Sequence, residues 1–168
     1  MRATCLGLLV AMLCATSALA AAPAARPGRI VSLNLCGDHY VVRLAERSHI
    51  ASLSPLAVDP ELSAVATEAA EVPRNRGRAE DVIMLNPDLV VAGITTDAAT
   101  LGLLKRLGIP LIALETASST DEVRVQTRRL AAALGEVDKG EAWIATMDKA
   151  LASGRPACLL YTSPSPRD

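Results

Sequence analysis

Short apolar runs alternate with helix-like segments along the chain, and this alternation constrains the fold more than any other feature. Four apolar runs have the length and composition of strands: residues 29–33, 49–53, 89–92 and 109–114. Between these runs, apolar residues recur at the spacing of amphipathic helices, and Gly108 and Gly135 lie at positions where helices commonly end. Strands separated by helices predict an α/β fold, a parallel sheet with helices on both faces and a Rossmann-like topology.

The predicted helices follow from caps and apolar spacing. Asp38 is expected to cap the first helix, which runs to about residue 47, and either Thr96 or Asp97 to cap the one at 98–107. Either Ser119 or Thr120 is expected to cap a longer helix that ends near residue 134. Three further segments are predicted to be helical: an Ala-rich stretch at 60–70, a short turn that begins at residue 79, and residues 138–152.

Composition excludes one class of partner. The chain has 168 residues with 17 basic and 18 acidic side chains, so there is no clustered positive charge for a phosphate backbone. Aromatic residues make up 2% of the chain and phenylalanine is absent, which removes the usual platforms for stacked bases. Nucleic-acid binding is therefore not predicted, and stacking on flat rings such as haem or corrin is harder to support.

The first twenty residues have the pattern of a secretory signal peptide. Arg2 precedes an apolar run, and Ala18-Leu19-Ala20 forms an A-x-A cleavage site at the end of that run. The mature chain is therefore expected in the periplasm, beginning with a disordered Ala/Pro leader at 21–28. Lipidation at Cys14 is not predicted because no small residue precedes it. In the mature chain, Cys36 is expected to be a free, partly buried thiol.

Turns at the carboxyl ends of the strands hold the candidate ligand-binding residues. Ligands of open parallel sheets bind outside these ends. In this chain the turns contain polar and small side chains, and the residues predicted to bind ligand are Asn34, Leu35, Cys36, Ser54, Thr95 and Thr96.

Catalytic signatures are absent from the same turns. Residues 34–38 contain one glycine, too few for a dinucleotide-binding crossover, and residues 135–140 lack the lysine and hydroxyl of a phosphate loop. The histidines are His39, expected to be a solvated neighbour of the capping Asp38, and His49, expected at the surface. Neither an enzyme nor a metal site is predicted.

Five motifs occur in an order that resembles a known family. They are RIVSLNLCGDHYVVRLA, IASLSPLA, RGRAEDVIMLNPDLVVAG, LLKRLGIPLIAL and AAALGEVDKGEAWIATMDKALA. Together they resemble the amino-terminal lobe of periplasmic substrate-binding proteins that serve iron–siderophore and vitamin B12 ABC importers. The resemblance implies a ligand-binding lobe at 29–136 and the start of a long interlobe helix at 137–154. Residues 155–168 do not continue the pattern and are expected to be an incomplete or non-native tail.

The resemblance also implies a function and site roles. It implies a ligand held in a cleft, a ferric siderophore or else cobalamin or haem, delivered to a membrane permease, with no resident cofactor. Glu80 matches the glutamate that pairs with permease arginines. Arg76 is expected to contact an anionic ferric chelate because its guanidinium offers forked donors, with Thr95 as a supporting hydroxyl.

Two alternatives to a solute-binding lobe stay open at this point. The chain could be an exported enzyme of Rossmann-like or flavodoxin-like fold, or a single-lobe interaction protein. A lobe without its partner is also expected to self-associate through apolar residues around Trp143 and Ile144.

Overall fold

The computed structural model describes residues 26–154 and contains one four-stranded parallel sheet in the order β2-β1-β3-β4. The predicted signal peptide, residues 21–25 of the leader and the tail at 155–168 lie outside the described residues. The strands are β1 (Ile30–Ser32), β2 (Ile50–Ser52), β3 (Leu89–Gly93) and β4 (Leu111–Leu114). The predicted α/β fold with a parallel sheet is therefore confirmed.

Six α-helices and two short 3₁₀ helices connect the strands in the described part of the chain. The α-helices are α1 (Leu35–Leu44), α2 (Ala66–Ala69), α3 (Ala79–Met84), α4 (Ala98–Arg106), α5 (Thr120–Leu134) and α6 (Val137–Gly154). The 3₁₀ helices are Arg47–His49 and Pro55–Val58.

Helices cover both faces of the sheet. On one face, Val41 of α1 and Leu130 of α5 pack with Ile30 and Val91 in a single apolar cluster. On the other face, Val82 of α3 and Leu104 of α4 pack against Val31 and Val90. Every residue of β3 is buried because this strand lies inside the sheet with helices above and below it.

Two predicted helix boundaries are wrong for local reasons. Asn34, not Asp38, caps α1, and the helix therefore begins at Leu35. Of the helix predicted at 60–70, only Ala66–Ala69 is helical. Asp59 accepts hydrogen bonds from the backbone N–H groups of Glu61 and Leu62, and this turn competes with helical bonding.

The last two helices pack closely against each other and against α1. A β-carbon on Gly140 would lie 2.5 Å from Ala131 Cβ, so the glycine permits the close approach of α6 to α5. Ile144 is buried, contrary to the expectation that it would be partly uncovered, and it lies in a helix that packs along α5. Trp143 is half-buried and its ring lies edge-on to Tyr40, with the centroids 5.3 Å apart.

No helix within residues 26–154 is both long enough and apolar enough to cross a membrane.

Candidate functional site

The carboxyl edge of the sheet has a crevice between β1 and β3. From β1 the chain enters α1 on one face of the sheet, and from β3 it enters α4 on the opposite face. The strand order reverses at this point because β2 lies on one side of β1 and β3 on the other. Such a switch point is the usual ligand position in an open α/β sheet.

A pocket of about 300 Å³ opens at this edge, on the face covered by α1 and α5, and we refer to it as the edge pocket. Most of its wall is apolar, and it contains no arginine or lysine. Its lining residues are Asn34, Cys36, Tyr40, Ile94, Leu114, Glu115, Thr116, Ala117, Val123 and Gln126.

Asn34 shapes the floor of the crevice. Its side-chain oxygen accepts a hydrogen bond from the Gly37 N–H at 2.8 Å and so caps α1. Its amide group lies against Gly93 at the end of β3, where no side chain larger than hydrogen fits. The predicted position of Asn34 at the ligand edge therefore coincides with a second role, which is to join β1, α1 and β3.

Cys36 and Tyr40 stand one turn apart on α1 at the edge pocket. The thiol is exposed, which corrects the prediction of a partly buried cysteine, because Cys36 lies on the side of α1 that borders the pocket, whereas Gly37 and Asp38 of the same turn are buried. Tyr40 is half-buried against Trp143. Burial raises the pKa of the Tyr40 phenol above its ordinary value, so its hydroxyl stays protonated at neutral pH.

Ser54, predicted to face the ligand, is buried and bonded to Asp38. Its hydroxyl donates to Asp38 Oδ2 at 2.5 Å and its N–H donates to Oδ1 at 3.1 Å. Burial raises the pKa of Asp38, and the hydrogen bonds from Ser54 oppose that shift in part. The pair ties the turn after β2 to the first turn of α1 beneath the surface of the edge.

Asn75, which the sequence analysis did not single out, connects several segments at the carboxyl edge of the sheet through its side chain. Its amide donates to Ser32 O at 2.9 Å, Ser52 Oγ at 2.7 Å and Leu53 O at 3.1 Å. Its side-chain oxygen accepts from the Gly77 N–H at 2.9 Å. The spacing of Asn75 and Gly77 is typical of an Asx turn and would have predicted that last bond.

Arg76 and Glu80 lie in a different pocket from Asn34 and Cys36. This second pocket lies between the start of α3 and the start of α4, on the opposite face of the sheet, and we call it the charged pocket. Its lining residues are Arg76, Gly77, Arg78, Ala79, Glu80, Asp97, Ala99, Thr100 and Leu103. The structure therefore does not bring Arg76 to the edge pocket.

The other predicted site residues occupy the same edge with different exposure. Thr95 is exposed, and the Thr96 hydroxyl accepts from the Gly93 N–H at 3.1 Å, which closes the turn after β3. Leu35 is half-buried in the first turn of α1. His39 is more than a solvated neighbour, since its Nε2 accepts from the Ala64 N–H at 3.2 Å.

Protein side chains alone do not form a metal centre in the described residues. Within 26–154, no group of three or more His, Cys, Asp or Glu side chains is close enough together to hold a metal ion. The chemistry that the edge pocket offers is therefore an apolar wall with a few polar groups at its rim.

No protein-family model matches the chain, and no curated protein matches it. Solved structures do match. Periplasmic haem-binding protein RhuT from Roseiflexus sp. RS-1 in its apo form aligns with 81% of this chain at 27% identity and a TM-score of 0.66. A periplasmic haem-binding protein from Pseudomonas aeruginosa aligns with 77% at 20% identity and a TM-score of 0.65. The periplasmic vitamin B12-binding protein BtuF of Vibrio cholerae aligns with 78% at 18% identity and a TM-score of 0.63.

These alignments cover only part of the matched proteins. They span 52%, 46% and 51% of the Roseiflexus, Pseudomonas and Vibrio chains, so this chain spans about half the length of the solved structures it matches. All three are periplasmic proteins that bind haem or vitamin B12. The chain therefore has the fold of about half of a periplasmic solute-binding protein of the haem and vitamin B12 kind, which confirms the resemblance predicted from its motifs.

Proposed function

We propose that this chain is the ligand-binding lobe of an exported solute-binding protein of an ABC importer, and that its edge pocket takes a metal tetrapyrrole, haem in the first instance. The observation that carries the proposal is the position of this largely apolar pocket at the switch point of the sheet. The periplasmic haem-binding proteins among the solved neighbours support the same class of ligand.

The wall of the pocket fits a flat apolar ring better than an anionic chelate. Ile94 is 70% exposed at the rim and leaves apolar surface available for a ligand to bury. Tyr40 adds an aromatic face that is fixed by its contact with Trp143. An anionic ferric siderophore would need cationic donors, and the pocket has none among its lining residues. Arg76, the residue predicted to supply one, lies across the sheet.

Delivery to a membrane permease is the second part of the proposal. The predicted signal peptide at residues 1–20 would export the chain, although it lies outside the described residues. Glu80 is exposed at the first turn of α3, away from the edge pocket. A carboxylate in that position is free to pair with a permease cation while the ligand is bound, which fits the docking role that the motif implies for it.

The test is a titration of the purified chain with haemin, cyanocobalamin and a ferric catecholate siderophore. Trp143 is the single tryptophan of the chain, and its fluorescence reports the Tyr40 side of the pocket. We expect haemin to quench it in a saturable manner with a stoichiometry of one. Saturable binding of the siderophore without haemin binding would overturn the assignment of the ligand, and binding of none of the three would overturn the function.

A matched pair of substitutions locates the site. Ile94→Ser removes apolar surface from the rim of the pocket, and Leu107→Ser removes a comparably exposed side chain from the far end of α4. Because burying a large aliphatic side chain contributes about 1.5–3 kcal/mol, Ile94→Ser should weaken haemin binding roughly tenfold or more. Leu107→Ser should leave the affinity unchanged.

A further inference from the structure

Four residues of α5 lie along the outer side of the helix and form a surface that we call the α5 stripe. They are Glu122, Val125, Gln126 and Arg129, and their spacing of three, one and three residues places them on one face of the helix. Val125 is 63% exposed, Glu122 and Arg129 are exposed, and Gln126 is half-buried. All four line a pocket of about 190 Å³ beside the end of β4.

The two ends of the stripe carry opposite charges that have no ionic partner in the described part of the chain. Glu122 and Arg129 form no ion pair within 26–154, whereas the other charged residues of α5 pair with each other or with acids of α6. Seven residues of helix separate the two charges by about 10.5 Å, so they cannot pair with each other. A hydrogen bond from the Ser118 N–H holds the pKa of Glu122 below its ordinary value, so the carboxylate is charged at neutral pH.

The stripe also covers the open edge of the sheet. β4 is an edge strand, because β3 is its one strand neighbour in the sheet. Along this edge the Ala113 carbonyl accepts from Arg129 Nη1 at 3.4 Å, and the Glu115 carbonyl accepts from Gln126 Nε2 at 3.0 Å. A strand from another molecule could not use these acceptors unless both side chains moved away. A molecule that approaches this edge therefore meets α5 rather than the backbone of β4.

We propose that the α5 stripe is an interface between two copies of this chain, whose α5 helices pair antiparallel about a twofold axis midway between Val125 and Gln126. A twofold interface requires a surface that is complementary to itself. The axis lies equally far from Glu122 and Arg129, so each of them faces the other residue on the second copy. Val125 is next to the axis and is buried by the contact. Parallel helices would instead bring like charges together, and this selects the antiparallel arrangement.

The proposal is independent of the ligand and differs from self-association around Trp143 and Ile144. In this interface the group opposite each charge belongs to the same chain. The contact is small and depends on exposed charges, so we expect a weak dimer that dissociates as salt is added.

Sedimentation equilibrium of the purified chain at low ionic strength, over a range of protein concentrations, measures dimerisation. Glu122→Arg and Arg129→Glu should each weaken it about tenfold, because like charges then face each other at both symmetric contacts. The double variant Glu122→Arg/Arg129→Glu should recover the parent's affinity, because each contact again joins opposite charges. The matched controls are Asp121→Arg and Arg128→Glu, which reverse neighbouring charges about 100° round the helix and should match the parent.

Recovery in the double variant separates an interface from a folding defect, because two changes that each damage α5 would not repair one another. Val125→Asp gives a second test that leaves both end charges in place. It brings two like charges together near the axis and should also weaken dimerisation about tenfold. Circular dichroism confirms that each variant keeps its helix content.

Arg129→Ala distinguishes helix pairing from strand addition. Pairing through α5 predicts a weaker dimer, because the contact loses its cation. Strand addition to β4 predicts a stronger one, because the Ala113 carbonyl is uncovered. Stronger association of Arg129→Ala would overturn the proposal, as would a dimer that is insensitive to Glu122→Arg, Arg129→Glu and Val125→Asp. A parent that stays monomeric at every concentration in low salt would overturn it as well.

Discussion

The Asn34 amide, at the switch point of the sheet, occupies the space that a side chain at Gly93 would need. A β-carbon added to Gly93 would lie 1.6 Å from Asn34 Nδ2, well inside any permitted contact. Asn34 is held there because its side-chain oxygen caps α1 through the Gly37 N–H. The end of β3 and the start of α1 are therefore packed against each other through a single amide group.

Gly93→Ala should lower the free energy of unfolding by about 1–3 kcal/mol, the usual cost of forcing extra volume into a packed site. Urea unfolding monitored by circular dichroism measures the change. Gly102→Ala is the matched control, because a β-carbon there would meet only the end of Arg106, at 3.6 Å. This control sits inside α4 and should instead gain about 0.5–1 kcal/mol.

The double variant Asn34→Ala/Gly93→Ala tests the cause of that loss. Asn34→Ala alone should cost about 1 kcal/mol, the value of an N-cap. With the amide removed, the new methyl group at residue 93 has no clash, so the double variant should be more stable than the sum of the single changes implies. Strict additivity would show that the two residues do not compete for the same space.

Asp38 should make the chain less stable as pH rises. Its pKa in the folded state lies above the ordinary value because burial disfavours the charged form. An unfolded aspartate titrates near a pH of about 3.9, so the folded state holds the proton more tightly. The stabilisation from the protonated carboxyl is full below that pH and is lost as pH rises through the higher folded pKa.

The comparison of the parent with Asp38→Asn isolates this effect. The parent's free energy of unfolding, relative to that of Asp38→Asn, should fall between pH 3.5 and pH 7, a range that brackets the unfolded pKa of about 3.9. The exposed Glu46, Glu122 and Glu141 have lowered pKa values and act in the opposite direction, but they are common to both proteins and cancel. A difference that is constant with pH, or that rises, would contradict the assigned direction.

Features of the structure that depend on residues close together in the sequence, such as helix ends and buried strands, could be predicted from the sequence. Gly135 ends α5 in a left-handed conformation, as expected, and Ser119, one of the two predicted candidates, caps its start; capping involves neighbours within four residues. The apolar run at 89–92 likewise predicted the buried strand β3, which ends one residue later at Gly93. Fold class followed from the order of such elements.

The internal organisation of the site could not be predicted in this way because it depends on distant partners. Asp38 bonds to Ser54, 16 positions away, and Asn75 bonds to Ser32, 43 positions away. From the sequence, Asp38 had the features of a helix cap and Ser54 those of a turn residue at the ligand edge. Only the packing of β1 beside β2 brings them together and buries them.

Asn75→Ala should destabilise the chain by about 1–3 kcal/mol, because it removes the side-chain donor to the buried Ser32 carbonyl and Ser52 hydroxyl. Asn75→Asp is the informative companion, since it keeps the size and the acceptor for Gly77 but removes the donors to Ser32, Ser52 and Leu53. We expect both variants to lose stability and to show faster hydrogen exchange at residues 76–78. An Asp variant as stable as the parent would show that the donated bonds contribute little.

Cys36 offers a direct test of where the ligand lies. Its exposed thiol lines the edge pocket, so bound haemin should slow its alkylation, measured by mass spectrometry on the peptide that contains residue 36.

Attachment of a bulky maleimide to Cys36 should in turn weaken haemin binding, because the adduct fills part of the pocket. The control is Ser48→Cys in a Cys36→Ser background, which places the same adduct on the exposed 3₁₀ helix before β2. Labelled and unlabelled forms of this control should bind haemin equally. If the adduct at Cys36 has no more effect than the adduct at residue 48, the ligand does not occupy the edge pocket.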